Sequence, residues 1–436
     1  MKPVLTKENL KREIGLRSLT LAILNILIGS GIFVIPAIIA ESMGAAAIVA
    51  YLVCGVLIFL IALCFAEVAG NTTISGGVYT YIERAFGPFV GFLSNNVSWL
   101  GCAVIADAAI VNALADTLKY FFPLLGNVIF RTVFFLLVFG GLALLNIRSV
   151  KNSVRFIEFA TVAKLTPLVL LLLVGAAFVS TENLRWTSYP TVGNTVSASL
   201  LLFFAFTGLE TSLSNGGEIK NAKRTVPLAI FFGITSMLII FISIQLITQG
   251  VLGEAIANYK DAPLAAVAGI IAGKAGVALI IAATALSMLG LLSGEILSIP
   301  RILFAGARDG LMPKPLSSIH PRFFTPHIAI GFYAVMGFLF AITGGFKQLA
   351  LISSACNLLV YLGVVLATLK LRKTDLATAE KSFRVPGGVI IPLLATGGIV
   401  WLLSSLTKPE FTGIAIFILV FSIIYLVTKL LKKKSI

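Results

Sequence analysis

Ile28-Gly29-Ser30-Gly31-Ile32-Phe33 and Phe204-Ala205-Phe206-Thr207-Gly208-Leu209-Glu210 decide how this chain is read. Each sets glycine inside a long apolar run, where an unbroken helix is otherwise expected. Glycine in a helix interior costs about 1 kcal/mol relative to alanine, so two such sites need a reason. A broken helix leaves peptide N–H and C=O groups without intrahelical partners. In lipid these are tolerated only where protein or a water-filled cavity covers them. The N–H groups of a restarting half-helix favour an anion, and the carbonyls that end the preceding half favour a cation. Opposite charges side by side suit an α-amino acid. On this reading the N–H groups of Ser30 and Gly31 and the Ser30 hydroxyl, next to Gly29, hold a carboxylate. Carbonyls near Leu27, Phe204 and Thr207, beside Gly208, hold an ammonium. The alternative is close packing of helices through small residues.

Composition puts these runs in a membrane. The chain has 436 residues, 58% hydrophobic and 12% charged, where a soluble domain is about 25% charged. One span takes roughly 20 apolar residues, which places spans at 18–40, 44–69, 88–117, 123–146, 154–179, 194–216, 226–250, 275–304, 327–345, 349–370, 388–406 and 411–429. Leu252 to Gly273 is too polar to span and is expected to form a short extracellular helix. The net charge of +15 does not point to nucleic acid, because Lys and Arg sit mostly in short loops between apolar runs. With the N-terminus inside, the outer segments hold only Lys119, Arg131, Arg185, Lys260, Lys274, Lys347 and Lys408 of the 33 Lys and Arg. The positive-inside rule therefore places both termini in the cytoplasm of a multi-pass cell-membrane protein. Met1 to Arg17 is polar and charged and shows no cleavage site, so no signal peptide is expected.

The two interruptions fall five spans apart. Five is odd, so a second copy of a five-span unit enters the membrane from the opposite side. Paired broken spans at matching positions are the strongest sequence pointer to a transporter's binding site. The expected division is a cytoplasmic segment 1–17, a first five-helix repeat 18–180, a second inverted repeat 190–370, two additional helices 385–430 and a basic tail 431–436. Lys432, Lys433 and Lys434 in that tail read as a lipid-headgroup anchor.

Several strings resemble the amino acid–polyamine–organocation (APC) superfamily of permeases, in order along almost the whole chain. Gly29-Ser30-Gly31-Ile32-Phe33 is similar to its first-span signature. Ala66-Glu67, then Ser75-Gly76-Gly77-Val78-Tyr79-Thr80-Tyr81 and Phe86-Gly87, resemble its second span and following loop. Glu218-Ile219-Lys220-Asn221 with Arg224-Thr225-Val226-Pro227, Arg308-Asp309-Gly310-Leu311-Met312-Pro313 and Phe383-Arg384-Val385-Pro386-Gly387-Gly388 resemble later loops. Thr73 and Ala222 stand where the family usually has proline. The resemblance implies an all-α membrane protein of about 12 transmembrane helices, a leucine-transporter-like bundle of two five-helix inverted repeats plus two helices. It implies a secondary amino acid permease working by alternating access, proton-coupled or by exchange, with a cationic amino acid or polyamine transporter as the alternative. A channel is the reading from a different class.

Charges inside spans are costly and tend to face cavities. Lys164 lies about ten residues into the fifth span, ~15 Å at 1.5 Å rise per residue. In relatives the resemblance implies that a lysine here bonds carbonyls at the first break and couples protons to substrate occupancy; a permanently charged tether and snorkelling are the alternatives. Glu210 closes the second break, as a relay of conformational change or as a cap on the restarting half-helix. Asp107 and Glu295 fall near side-chain pocket positions of arginine/agmatine-type antiporters but match neither residue type there. Two added carboxylates would favour a basic side chain or a polyamine, or would share a proton; a hydrogen-bonded pair joining helices is the alternative. Phe204 corresponds to an aromatic gate over the substrate, or to core packing. No Walker-type phosphate loop and no metal-ligand spacing is present, so no cofactor and no metal is expected, and no nucleophile–base pair points to an enzyme. Cys54, Cys64, Cys102 and Cys356 read as small buried hydrophobes, and His320 and His327 as surface loop residues.

Overall fold

The computed structural model describes residues 14–71, 78–187, 189–210, 219–308, 312–374, 384–385 and 387–434. Of the family-like strings, Thr73, Ser75-Gly76-Gly77, Glu218, Asp309-Gly310-Leu311, Phe383 and Pro386 lie outside these residues. So do 1–13 and the end of the sixth expected span.

The described chain is helical, with no β-strand. In lipid a helix satisfies its own peptide groups, and an open sheet edge cannot. In order the helices are α1 (Leu16–Leu27), α2 (Gly31–Met43), α3 (Ala47–Asn71), α4 (Val78–Phe86), α5 (Pro88–Asn96), α6 (Ile105–Leu118), α7 (Val128–Arg148) and α8 (Val150–Gly175). They continue with α9 (Val192–Phe203), α10 (Ala222–Leu252), α11 (Pro263–Arg308), α12 (His327–Ala341), α13 (Phe346–Thr374), α14 (Ile390–Leu403) and α15 (Lys408–Lys434). A π-helical stretch, Val97–Val104, joins α5 to α6 in one rod. Among the described residues, 8 helical segments are long and apolar enough to cross a membrane, accompanied by the shorter apolar helices Leu16–Leu27, Val192–Phe206, His327–Ala341 and Ile390–Leu403.

Local chemistry sets several helix starts. Asn127 Oδ1 accepts from the Ile129 N–H at 2.9 Å, Ser149 Oγ from Asn152 N–H at 3.2 Å and Thr191 Oγ1 from Asn194 N–H at 3.1 Å. Each cap satisfies a donor that the first turn leaves open. The expected helix within Leu252–Gly273 takes two parts: a 3-10 turn Gly253–Asn258, then the start of α11, which kinks at Ala272 and Gly273.

α11 packs along α8, α10 lies against α3 and α1, α12 against α7, and α13 against α6. Small residues permit the closest approaches: a Cβ at Gly290 would lie 2.5 Å from the Ala160 Cβ. Such contacts drive helix association in lipid, where burying apolar surface gains little. α15 shows the outward pattern, with Ile416, Leu419 and Leu426 more than half exposed. Polar groups turn inward instead. Glu67 of α3, fully buried, takes two bonds from Arg372 of α13 (2.5 and 2.6 Å) and one from the Val385 N–H (2.8 Å). Arg372 also donates to the Gly388 carbonyl at 2.6 Å, tying the approach to α14 to α3 and α13. His320 and His327 are partly exposed and pack edge to face at 5.1 Å.

Candidate substrate-binding site

The two interruptions lie against one another. α1 ends at Leu27, and Ile28, Gly29 and Ser30 carry the chain across to α2. α9 tightens into a 3-10 turn, Phe204–Phe206, and Thr207 then runs extended into Gly208, whose φ is +112°. That φ is open to glycine and closed to residues with a Cβ. A Cβ at Gly208 would also sit 2.6 Å from Ile26 Cγ2, and one at Gly31 would sit 2.6 Å from the Ala205 Cβ. The glycines therefore let the two breaks touch.

The backbone at the breaks is partly engaged. Leu27 O accepts the Gly29 N–H at 2.9 Å, and Phe204 O accepts the Thr207 hydroxyl at 2.9 Å. A carbonyl has two lone pairs, so each keeps one further acceptor site. Lys164 of α8 is 5% exposed, and its Nζ donates to Asn25 O at 3.0 Å and Ile28 O at 2.7 Å. Glu210 Oε2 accepts the Gly208 N–H at 3.2 Å and a bond from the Tyr361 hydroxyl. The donors that open α2 are not spent in this way: its first N–H groups have no acceptor within the helix, and the Ser30 hydroxyl, 2% exposed, has no hydrogen-bond partner.

These groups wall a cavity of about 480 Å³, within the size range of small-molecule sites. Leu27, Gly29, Ser30 and Gly31 reach it from the first break, and Phe204, Thr207, Gly208 and Glu210 from the second. Asp107 of α6 and Glu295 of α11 complete the set named from sequence; Lys164 grips the first break from outside the cavity lining. The π-helical stretch supplies Ser98, Trp99 and Cys102 to the same wall. Phe204 on this wall stacks edge-on against Phe346, ring centroids 5.7 Å apart. Ser298 and Arg301 also line the cavity and are exposed.

Sequence reasoning missed several residues. Asp107 Oδ2 accepts the Tyr333 hydroxyl at 2.9 Å, and Tyr361 does the same service for Glu210. Both phenols sit within apolar spans, and a buried hydroxyl there needs a partner; that signal was available. Arg301, which the sequence reading did not single out, lies on α11 and lines the cavity. Cys102 lines the cavity as well, while Cys54, Cys64 and Cys356 are buried as expected. Among the described residues no His, Cys, Asp and Glu cluster could hold a metal.

Comparison with known proteins agrees with this architecture. The sequence profile of the amino acid permease family matches residues 14–434. The branched-chain amino acid permease BcaP of Bacillus subtilis (strain 168) is 27% identical over 96% of this chain and 93% of its own length. The serine/threonine exchanger SteT of the same organism is 29% identical over 95% of this chain and 96% of its own. The methylthioribose transporter of that organism is 27% identical over 96% and 93%. With a bundle of apolar helices, two apposed helix breaks and a profile match across nearly its whole length, this chain belongs to the amino acid permease family of membrane transporters.

Proposed function

We propose that the protein is a secondary active transporter that carries an α-amino acid through the cell membrane by alternating access. The observation that carries this reading is the contact between the two helix breaks at the wall of one cavity. It sets the unspent donors of Ser30 and Gly31 beside carbonyls of the opposite break, which suits one zwitterionic head group. The substrates for which BcaP and SteT are named, branched-chain amino acids and serine or threonine, support the class. The α-carboxylate meets the N–H groups that open α2 and the Ser30 hydroxyl; the α-ammonium meets the spare lone pairs of Leu27 and Phe204. Twelve spans in two inverted five-helix repeats, 18–180 and 190–370, followed by two helices, give the frame. The positive-inside orientation puts both termini in the cytoplasm. The exposed cavity end at Ser298 and Arg301 then faces the cytoplasm, and Phe204 with Phe346 closes the outer end.

Driving energy comes from a proton gradient or from exchange. The bonds of Lys164 to the Asn25 and Ile28 carbonyls, on either side of the proposed ammonium site at Leu27, support a coupling role for it. Counterflow in proteoliposomes tests the transport reading. Preloaded unlabelled amino acid is expected to accelerate uptake of the labelled form. Uptake that neither saturates nor responds to preloading would mean a channel instead.

A further inference from the structure

The charges on the cavity wall do not balance. Three of its lining residues are acidic, Asp107, Glu210 and Glu295, and Arg301 is the one Lys or Arg among them. Glu210 is held by the Gly208 N–H and the Tyr361 hydroxyl, so both its geometry and its charge are answered by protein donors. Asp107 is different. It is fully buried, Tyr333 binds only Oδ2, and Oδ1 has no partner. Glu295 lies close enough for its charge to act on Asp107, and it forms no hydrogen bond or ion pair with a described residue. Arg301 stands further along α11, six residues away or ~9 Å at 1.5 Å rise per residue, and it pairs with neither.

Two ionised carboxylates facing one cavity in a low-dielectric surround repel each other and pay desolvation, which either a shared proton or a cation between them relieves. Among the described residues no cation joins the two, and a cation recognises the pair where a proton does not. We propose that the substrate supplies that cation: the transported solute carries a second cationic group, an ammonium or guanidinium, that docks between Asp107 and Glu295 while its other end occupies the helix breaks. This rests on the amino acid reading above and adds the side-chain class to it. Tyr333 is a positioning residue here. By occupying Oδ2 it turns Oδ1 toward the cation, and a guanidinium or ammonium donates to that open lone pair.

The test is uptake and competition in proteoliposomes with labelled lysine and arginine, their carboxylate-free counterparts cadaverine and agmatine, and leucine and serine. Basic amino acids are expected to be taken up at least tenfold more efficiently (kcat/KM) than the neutral ones. Asp107→Asn and Glu295→Gln are each expected to cut the basic-to-neutral ratio at least tenfold. Asp107→Glu keeps most of it. Tyr333→Phe raises KM for lysine with little change in kcat. Because the ratio is read within one preparation, reduced yield does not mimic the effect; should Asp107→Asn fail to fold, Glu295→Gln on the partly exposed wall carries the test. If neutral amino acids are carried and basic solutes neither enter nor compete, this inference is overturned while amino acid transport stands. If only the amines are carried, the cation subsite is upheld and the carboxylate site at α2 is not. If none of the six solutes is carried, both readings fall.

Discussion

Gly208 and Lys164 show how much one residue settles at the candidate site. Gly208 has φ +112° and faces Ile26 at a distance no side chain tolerates. Gly208→Ala must adopt a left-handed backbone, costing about 1–2 kcal/mol, and must also push Ile26 away from the first break. Initial uptake is expected to fall more than tenfold while the protein still inserts, with a modest drop in thermal stability; wild-type uptake would show that the contact between the breaks is dispensable. Lys164 holds the carbonyls of Asn25 and Ile28 together. Lys164→Ala frees both, so accumulation driven by an imposed pH gradient is expected to vanish, with counterflow less affected. Intact proton-driven accumulation in that variant would remove lysine from coupling and leave it a tether. Lysine at this depth, and glycine within an apolar run, stand out in the sequence. What they touch does not.

At the scale of elements, two broken helices behave as one unit because α2 and the turn after α9 meet with only the Ala205 methyl between them. Gly31 and Ala205 form the tightest part of that meeting. Gly31→Ala therefore introduces one methyl too many, and Ala205→Gly removes one. The single Gly31→Ala variant is expected to lose most uptake, and the Gly31→Ala/Ala205→Gly pair to recover a substantial part. Additive losses in the pair would mean that the two positions do not pack on each other. The broken spans were legible because glycine in a membrane helix is costly; the partners of the charged residues were not. Asp107 and Tyr333 are 226 residues apart, and Tyr361 and Glu210 are 151 apart. No local periodicity relates residues at such separations.

The whole molecule sets access. Cavity-lining Phe204 packs against Phe346, and Ser298 and Arg301 on the same wall are exposed, which supports access from their side. Ser298→Cys, in a background where cavity-lining Cys102 is replaced by alanine, is expected to react with a membrane-impermeant maleimide from the cytoplasmic side, and substrate should slow that reaction. Equal labelling from both sides would contradict a cavity closed at one end. The clamp of Glu67, Arg372 and Val385 joins α3, α13 and the approach to α14 into the frame around that cavity. Arg372→Ala leaves the buried Glu67 carboxylate without its arginine, at a cost of about 3–5 kcal/mol. Thermal unfolding in detergent should shift down accordingly, and a variant that melts with the wild type would make the clamp incidental.

Composition and run length alone determined that this is a helical membrane protein. Lipid offers peptide groups no partners, so long apolar stretches must be helices, and glycine within them must mark a break that something covers. The strings from Gly29 to Gly388 pointed to the family by their order. Only the tertiary structure decided that the two breaks touch, that Lys164 bonds the carbonyls of the first, and that Tyr333 and Tyr361 answer two buried carboxylates while Arg301 looks into the cavity. These are contacts between spans, and a span's sequence records which faces are apolar or polar without recording which neighbour each face will meet.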